Sequence, residues 1–414
     1  MHRVFTPQSF ARVLRAGDSR RFKVDLKAKR DQVLKAATLS ANAGHTKFSP
    51  LFVTQAKRRL CHSIKEYSQV LILRSVAWYI SRRFRVQIRN RDRIVRDVLE
   101  TLSDSTPMYV VRRDIKSFYE SLPTEAVRDR LANEVFIPKR IKDYILCYFN
   151  TFTPNTTVGV PRGIGLSATL AELAMEPYDK AIKALDGVYR YFRYSDDIIV
   201  FSHKEPTQIE LALKEKLPNG MRFNTDKSTT IAIQNTDKKN KSRLSFEYLG
   251  YEYAFDDLCR NKSPRPVEIR IPERKIKRLK TRIICCLRSF KSHKDFALLH
   301  DRMRFVSSNY VVHRRGASSI RTSRTVRSGI FYSYHLCGNY EGQKTAEYDG
   351  RALKALDGFY QAMIHSSPDF GGQLNNFQKL HLKRLSFYQG FRKRMTVRFS
   401  PDRVQEIKRA WMHG

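Results

Sequence analysis

Apolar positions change period several times along the chain. Val188 to Arg193 and Ile198 to Ser202 are rich in β-branched and aromatic residues, and Tyr194-Ser195-Asp196-Asp197 lies at their junction. This pattern predicts two strands joined by a tight acidic turn. Met108-Tyr109-Val110-Val111 predicts a buried strand with Asp114 at its end. The Gly/Pro-rich stretch Thr157 to Ser167 reads as a loop, and the Ala/Leu-rich run Ala168 to Met175 after it reads as a helix. Residues 123–156 carry helical periodicity and end in the turn signal Pro154-Asn155. Thr207-Gln208-Ile209-Glu210 has the form of a capping box. It opens a helix with Ile209, Leu213 and Leu217 on one face and a Glu210–Lys214 pair one turn apart. Pro218-Asn219-Gly220 stops that helix, and residues 234–243 read as an exposed polar loop. Strand, helix and strand in this order predict one sheet with helices covering a face.

The flanks differ from this middle. Residues 1–105 read as mostly helical and strongly basic, with the clusters Arg82-Arg83-Phe84-Arg85 and Arg89 to Arg93. Beyond about residue 261 the pattern is again helical and basic. Ile276 to Phe290 and Phe377 to Arg394 have the spacing of amphipathic helices. Arg314-Arg315-Gly316 and Ser319 to Arg324 are polar and basic. No internal repeat is apparent.

Composition narrows the class of partner. The 414 residues suffice for two or three subdomains. With 78 Lys+Arg against 40 Asp+Glu, the formal net charge is +38. Such an excess points to a polyanion, because Lys and Arg that neutralise phosphates release condensed counterions. A membrane surface fits less well, since the basic residues are spread throughout. No run of 18 or more apolar residues appears, so no membrane span is expected. The six cysteines are scattered without a C-x-x-C pair, which fits a reducing cytoplasm and no zinc site. The basic segment Met1 to Arg21 has some features of a transit peptide, but the rest of the chain is equally basic. His313, His335 and His381 show no ligand spacing.

The chemistry concentrates in carboxylates. Asp is an ordinary turn residue, so Asp196-Asp197 alone is a modest signal. Asp114 at the end of another strand changes the reading. In-line phosphoryl transfer uses two divalent ions roughly 3.5–4 Å apart, and three Asp from neighbouring strands can cage them. The glycines between these acidic stretches permit close backbone approach to a base pair or phosphate.

The order Asp114-Ile115-Lys116-Ser117-Phe118-Tyr119, then Val160-Pro161-Arg162-Gly163, then Tyr194-Ser195-Asp196-Asp197 resembles motifs A, B and C of reverse transcriptases. Phe223-Asn224-Thr225-Asp226-Lys227-Ser228 is similar to motif D, and Phe246-Glu247-Tyr248-Leu249-Gly250-Tyr251 to motif E, the primer grip. The resemblance implies an α+β right-hand polymerase: fingers over 1–105, a ferredoxin-like palm over 106–260 with a fingers insertion near 123–156, and a helical thumb with a basic C-terminal extension over 261–414.

It further implies that Asp114, Asp196 and Asp197, helped by the Ile115 carbonyl, hold two Mg²⁺, with Mn²⁺ able to substitute. Lys227 would act on the departing pyrophosphate. Tyr119 and Phe118 would lie at the substrate, with Tyr119 under the sugar as a steric gate. Arg162 and Gly163 would line the nascent pair, and Arg91 and Arg93 the triphosphate. Tyr194, Leu249, Gly250 and Arg89 would contact nucleic acid.

Two departures stand out: Arg162 where the family usually has Gln, and Arg89-Asn90-Arg91-Asp92-Arg93 in place of the usual basic-Gly fingers turn and its Arg-Pro-Ile. With the Ser-Phe-Tyr-Glu-Ser-Leu ending of motif A, they resemble bacterial defence-associated, retron-like reverse transcriptases more than retroviral or intron enzymes. Within these, the chain is similar to the smaller enzyme of the type 3 systems, which pair two reverse transcriptases with a non-coding RNA. The implied partners are a structured RNA template, dNTPs, a cDNA product and a second reverse transcriptase or another copy of the chain. An RNA-dependent RNA polymerase is a rival, though that class usually carries a second acidic residue where Tyr119 stands. A template- or primer-independent nucleotidyl transferase shares the same motifs. An inactive RNA-binding scaffold is disfavoured by the intact carboxylates, because like charges held together are costly without metal.

Overall fold

The computed structural model describes residues 4–15, 17–49, 51–56, 59–87, 89–153, 158–237, 239–259, 263–313, 325–342 and 348–411. The chain divides into two compact units. The first is built from residues 1–97 and 106–235, the second from residues 98–105, 236–313 and 325–414.

The first unit begins with helices Pro7–Val13 and Arg30–Ala43, then the antiparallel hairpin of β1 (Leu51–Ala56) and β2 (Arg59–Ile64). That hairpin was not among the elements expected for this mostly helical region. Helix Tyr67–Arg83 follows, then the first half of helix Arg91–Ser103, whose residues from Val98 onward belong to the second unit. Its first turn is capped by the Asn90 carboxamide accepting from the Asp92 and Arg93 amides at 2.8 and 3.4 Å.

The sheet of this unit has four antiparallel strands: β3 (Met108–Asp114), β4 (Val188–Tyr194), β5 (Asp197–Ser202) and β6 (Thr229–Ile233), in the order β4-β5-β3-β6. Helix Gly165–Lys183 precedes β4 and helix Pro206–Glu215 precedes β6. The result is the β-α-β-β-α-β order of a ferredoxin-like palm. Ile198 through Ser202 of β5 are all buried, as a short apolar run without alternation requires. Val111, Ile115, Ile198 and Val200 pack with Ala171, Met175, Ile209 and Leu213 of the two helices. A second cluster, centred on Phe10, Leu71, Val76, Tyr148 and Leu166, holds the helices together.

Helix Pro206–Glu215 buries Ile209 and Leu213 as the spacing required. Its start differs from the capping-box expectation: Glu205 is the N-cap, without a side-chain cap bond, and Pro206 occupies the first turn. Proline suits that position because its φ is preset and its missing N–H is not needed there. Glu210 turns to Arg113 at 2.8 Å and to the Thr230 hydroxyl, not to Lys214.

In the second unit, β7 (Arg243–Tyr248), β8 (Tyr251–Asp256) and β9 (Val267–Arg270) form a meander. Further strands are β10 (Asn309–His313), β11 (Thr325–Gly329), β12 (Gly338–Tyr340) and β13 (Thr396–Val397). The sheets run β12-β9-β8-β7 and β11-β10-β13. Arg265 is wholly buried and donates to the Leu102 and Asp104 carbonyls at 2.9 and 2.8 Å. It thereby closes the C-terminal end of a helix whose last carbonyls need donors.

Helix Glu273–His293 covers the first amphipathic stretch expected here. The second, Phe377 to Arg394, is broken into helices Asn376–Lys383 and Phe387–Arg392, because Asn375 and Ser386 each cap a new start. The expected turn at Pro154-Asn155 and the basic stretches at Arg314–Gly316 and Ser319–Arg324 lie outside the described residues. Among the described residues no helix is long and apolar enough to cross a membrane.

Candidate active site

Three strands' worth of backbone pairing sets the positions of the carboxylates. Asp114 ends β3 and stands opposite Asp197, the first residue of β5. Asp197 in turn pairs with Tyr194, the last residue of β4, leaving Ser195 and Asp196 as a two-residue turn. Such a turn favours positive φ, usually supplied by Gly. Here Ser195 adopts φ 58°, a conformation costing a non-glycine residue about 1–3 kcal/mol unless its surroundings fix it.

They do fix it. The Ile115 amide donates to the Asp196 carbonyl at 2.8 Å, tying the end of β3 to the turn. The Arg193 guanidinium donates to the Ser195 carbonyl at 3.2 Å. Beside the turn, burial raises the pKa of the Tyr119 hydroxyl above the ordinary tyrosine value, and the neighbouring Ser195 side chain opposes that rise.

Arg193 is itself the centre of a buried network. Its side chain is 3% exposed. It donates to Glu172 at 2.7 Å and to both oxygens of Asp179 at 2.8 Å, and the Tyr191 hydroxyl donates to Asp179 at 2.6 Å. Burial opposes the arginine's charge, but the Asp179 hydrogen bonds and the Glu172 charge outweigh it and hold its pKa above the ordinary value. Glu172 and Asp179 lie seven residues apart, two turns along one face of helix Gly165–Lys183.

Each strand-borne carboxylate is met by a cation. Lys227, in the short 3₁₀ turn Thr225–Lys227, donates to the two Asp114 oxygens at 2.9 and 3.0 Å. Arg112 donates to the two Asp197 oxygens at 3.0 and 3.2 Å. Burial raises the pKa of Asp197, the Arg112 pair opposes the rise, and the charges of Asp114 and Asp196 add to it. Three carboxylates therefore feel one another, and positive charge among them is electrostatically favoured. Among the described residues no three His, Cys, Asp or Glu side chains form an assembled metal cage. Asp114 and Asp197 are turned to their basic partners. Their all-oxygen donor set suits a hard divalent ion.

The loop before helix Gly165–Lys183 is fastened to the segment after Asp114. The Gly159 and Val160 amides donate to the Leu122 and Tyr119 carbonyls at 2.7 and 2.8 Å. Gly163 has φ +98°, and a Cβ there would lie 2.6 Å from the His62 carbonyl of β2. Any larger residue would push the hairpin away. Arg162 forms a bidentate pair with Glu120 at 3.1 Å and lies 5.1 Å over the Tyr119 ring.

A cavity of about 560 Å³ opens beside the turn. Tyr119, Tyr194, Ser195 and Asp196 line it, as do Arg89 and Lys183. Of the other expected residues, Arg91 and Arg93 start helix Arg91–Ser103 and do not line this cavity. Phe118 is also elsewhere. It is 1% exposed in the apolar core with Ile115 and Leu122, so its ring packs beneath the site and does not face it. The Ile115 side chain is buried too, leaving its backbone to the site. Leu249 and Gly250 form the two-residue turn between β7 and β8 in the second unit.

Sequence reasoning missed Arg112, Arg193, Glu172 and Asp179. Arg112 was recoverable in part, because residues two apart on a strand share a face and Arg112 stands two before Asp114.

Residues 56–253 match the family described as reverse transcriptase (RNA-dependent DNA polymerase), a span that includes all five motifs from Asp114 to Tyr251. The chain carries a domain of that family over this span. No curated protein matches the chain. Among solved structures it is similar to the telomerase of Candida albicans in complex with a TWJ fragment of telomeric RNA, at 13% identity and TM-score 0.35 over 76% of this chain and 56% of that one. It is also similar to the apo telomerase of Candida Tropicalis, at 13% identity and TM-score 0.34 over 92% of this chain and 60% of that one. A form of the latter truncated from its C-terminal domain matches at 16% identity and TM-score 0.31, over 44% and 43%. The chain thus spans roughly half the length of these telomerases.

Proposed function

We propose that this protein is an RNA-directed DNA polymerase that copies RNA into cDNA at the β3/β4–β5 carboxylates. One observation carries the reading: Asp114, Asp196 and Asp197 meet at the ends of adjacent strands of a ferredoxin-like sheet, inside a reverse transcriptase domain. These three, with the Ile115 carbonyl, would hold two Mg²⁺, or Mn²⁺ in its place. Bound there, the ions would supply activation of a primer 3′-hydroxyl and charge neutralisation on the triphosphate.

The chain's own residues supply position and selectivity. Lys227 and Arg112 neutralise Asp114 and Asp197 and would release them to incoming cations. Lys227 is then placed to neutralise the departing pyrophosphate. Arg162 and Glu120 clamp the Tyr119 ring, so that it presents a fixed surface to the sugar and excludes a 2′-hydroxyl by shape. Gly163 keeps backbone at the nascent pair. Arg89, Arg91 and Arg93 offer positive charge to template and triphosphate, while Tyr194 and the Leu249–Gly250 turn support the primer-template duplex. Residues 1–105, 106–260 and 261–414 serve as fingers, palm and thumb with extension. The finer reading is a cytoplasmic bacterial enzyme of antiphage defence, working on a structured non-coding RNA beside a second reverse transcriptase or another copy of itself. The departures at Arg162 and Arg89–Arg93 support it.

The test is incorporation of labelled dNTPs and rNTPs on an RNA template with primer, without primer and without template. The expected result is template-dependent dNTP use by the wild type. Tyr119→Val should admit rNTPs with little loss of dNTP use and a melting temperature near that of the wild type. Incorporation that ignores the template would replace this reading with an untemplated transferase. A Tyr119→Val protein that melts early yet keeps its sugar preference would remove Tyr119 from the gate.

A further inference from the structure

The second unit holds its own cavity, of about 260 Å³. Phe331, Tyr348, Tyr388 and Phe391 line it, together with the exposed Arg392 and Arg394. Its size falls just under the ~300–1,000 Å³ of sites for drug-sized ligands. One flat ring system fits such a space and a duplex does not.

The walls are built to stay in place. Helix Phe387–Arg392 brings Tyr388 and Phe391, three residues apart, to the cavity wall. Its start is fixed by Ser386, whose hydroxyl accepts from the Gln389 amide at 3.1 Å. The Asp357 carboxylate adds to this, accepting from the Phe387 and Tyr388 amides at 2.6 and 3.1 Å. Gly350, at φ +72°, lets the Tyr388 ring close in: a Cβ there would sit 2.1 Å from it. Phe391 meets Phe331 at 5.4 Å and Tyr348 at 5.2 Å between ring centres. The Arg394 guanidinium lies 4.4 Å over the Phe331 ring.

Two features ask for a ligand. The Tyr348 hydroxyl is buried and has no hydrogen-bond partner among the described residues, an arrangement that folded proteins seldom leave uncompensated. Arg392 and Arg394 are exposed and ion-paired to no carboxylate among the described residues. Aromatic faces, a guanidinium plane, a lone hydroxyl and two unneutralised arginines together match one chemistry, an unstacked base and its phosphate.

We propose that this cavity captures a single unstacked nucleobase of a single-stranded nucleic acid. The base stacks on the aromatic wall, an edge atom bonds the Tyr348 hydroxyl, and flanking phosphates meet Arg392 and Arg394. The site lies within the second unit and does not rest on polymerase activity. It would let the C-terminal extension grip a loop or strand end of an RNA independently of synthesis.

The experiment measures binding of a short oligouridylate RNA, its DNA counterpart and a blunt RNA duplex to the full chain by fluorescence anisotropy. No divalent ion and no dNTP are present, so failure of the polymerase reading cannot affect the result. A 4-thiouridine version is photo-crosslinked and the modified peptide identified. Arg392→Ala/Arg394→Ala, at exposed positions, should weaken single-strand binding about tenfold. It should also flatten the salt dependence by about two phosphate contacts, with duplex binding unchanged. Tyr348→Phe should alter the preference among bases while leaving the salt slope and the melting temperature as they were. Crosslinks should fall on Tyr348, Tyr388 or Phe391. Equal affinity for RNA and DNA assigns recognition to base and phosphate alone, and tighter RNA binding adds the 2′-hydroxyl; both support the site. Unchanged single-strand affinity in the double variant, with crosslinks confined to other residues, overturns it.

Discussion

The Ser195–Asp196 turn between β4 and β5 and the Leu249–Gly250 turn between β7 and β8 each join antiparallel strands through two residues. Each also forces a non-glycine residue to positive φ, 58° at Ser195 and 47° at Leu249. Their surroundings differ. Around Ser195 the backbone is held by polar groups: the Ile115 amide and the Arg193 guanidinium. Around Leu249 it is held by burial, with Leu249 itself 9% exposed and Tyr248 and Tyr251 fully enclosed. A turn that must present carboxylates cannot be fixed by apolar packing, since that would raise the cost of every charge it carries. The buried Arg193 network supplies the rigidity instead. The Leu249 turn carries no charge and uses the simpler solution.

This contrast can be broken by substitution. The largest effect is expected for Arg193→Met, which leaves Glu172 and Asp179 without their shared partner. Stability should fall by about 3–5 kcal/mol, as when one member of a buried ion pair is removed. Urea denaturation measures it, and a loss under about 1 kcal/mol would mean that the network does not support the turn.

Leu249→Gly should come next. It relieves the backbone but forfeits a buried side chain, a loss of about 2–5 kcal/mol for Leu truncation set against about 1–2 kcal/mol regained. A lower melting temperature is expected. The smallest effect belongs to Ser195→Gly, where relief of φ and the greater freedom glycine gives the unfolded chain nearly cancel, leaving stability within about 1 kcal/mol of wild type. If Ser195→Gly proved more damaging than Leu249→Gly, the comparison would be reversed.

How far the sequence disclosed this molecule depended on how local the signal was. Strands β3, β4 and β5 were legible because short apolar runs end in recognisable turns, and the three carboxylates because residue type, order and spacing agree. The β1–β2 hairpin was not. Its sequence, Leu51 to Ile64, contains no Gly, Pro, Asn or Asp to mark a turn, and its basic residues resemble the neighbouring helices.

Pro206 displaced the start of its helix by two positions, from an N-cap at Thr207 to one at Glu205, because a preset φ at the first helical residue competes well with a side-chain cap. Arg112 and Arg193 went unnoticed for a compositional reason. Among 78 Lys+Arg a single arginine carries no information. Their significance lies in partners 85 residues away for Arg112 and 14 to 21 away for Arg193. The orphaned Tyr348 hydroxyl is a property of tertiary packing alone.

We propose that the Asp114, Asp196 and Asp197 site performs RNA-templated DNA synthesis. Its most direct test is single-turnover addition of one dNTP to a primed RNA template in Mg²⁺, comparing wild type with Asp196→Asn at matched RNA occupancy and melting temperature. The wild type should extend the primer, and Asp196→Asn should do so at a rate lower by at least about 10³-fold, with RNA binding retained. Extension by Asp196→Asn within about tenfold of wild type would contradict it.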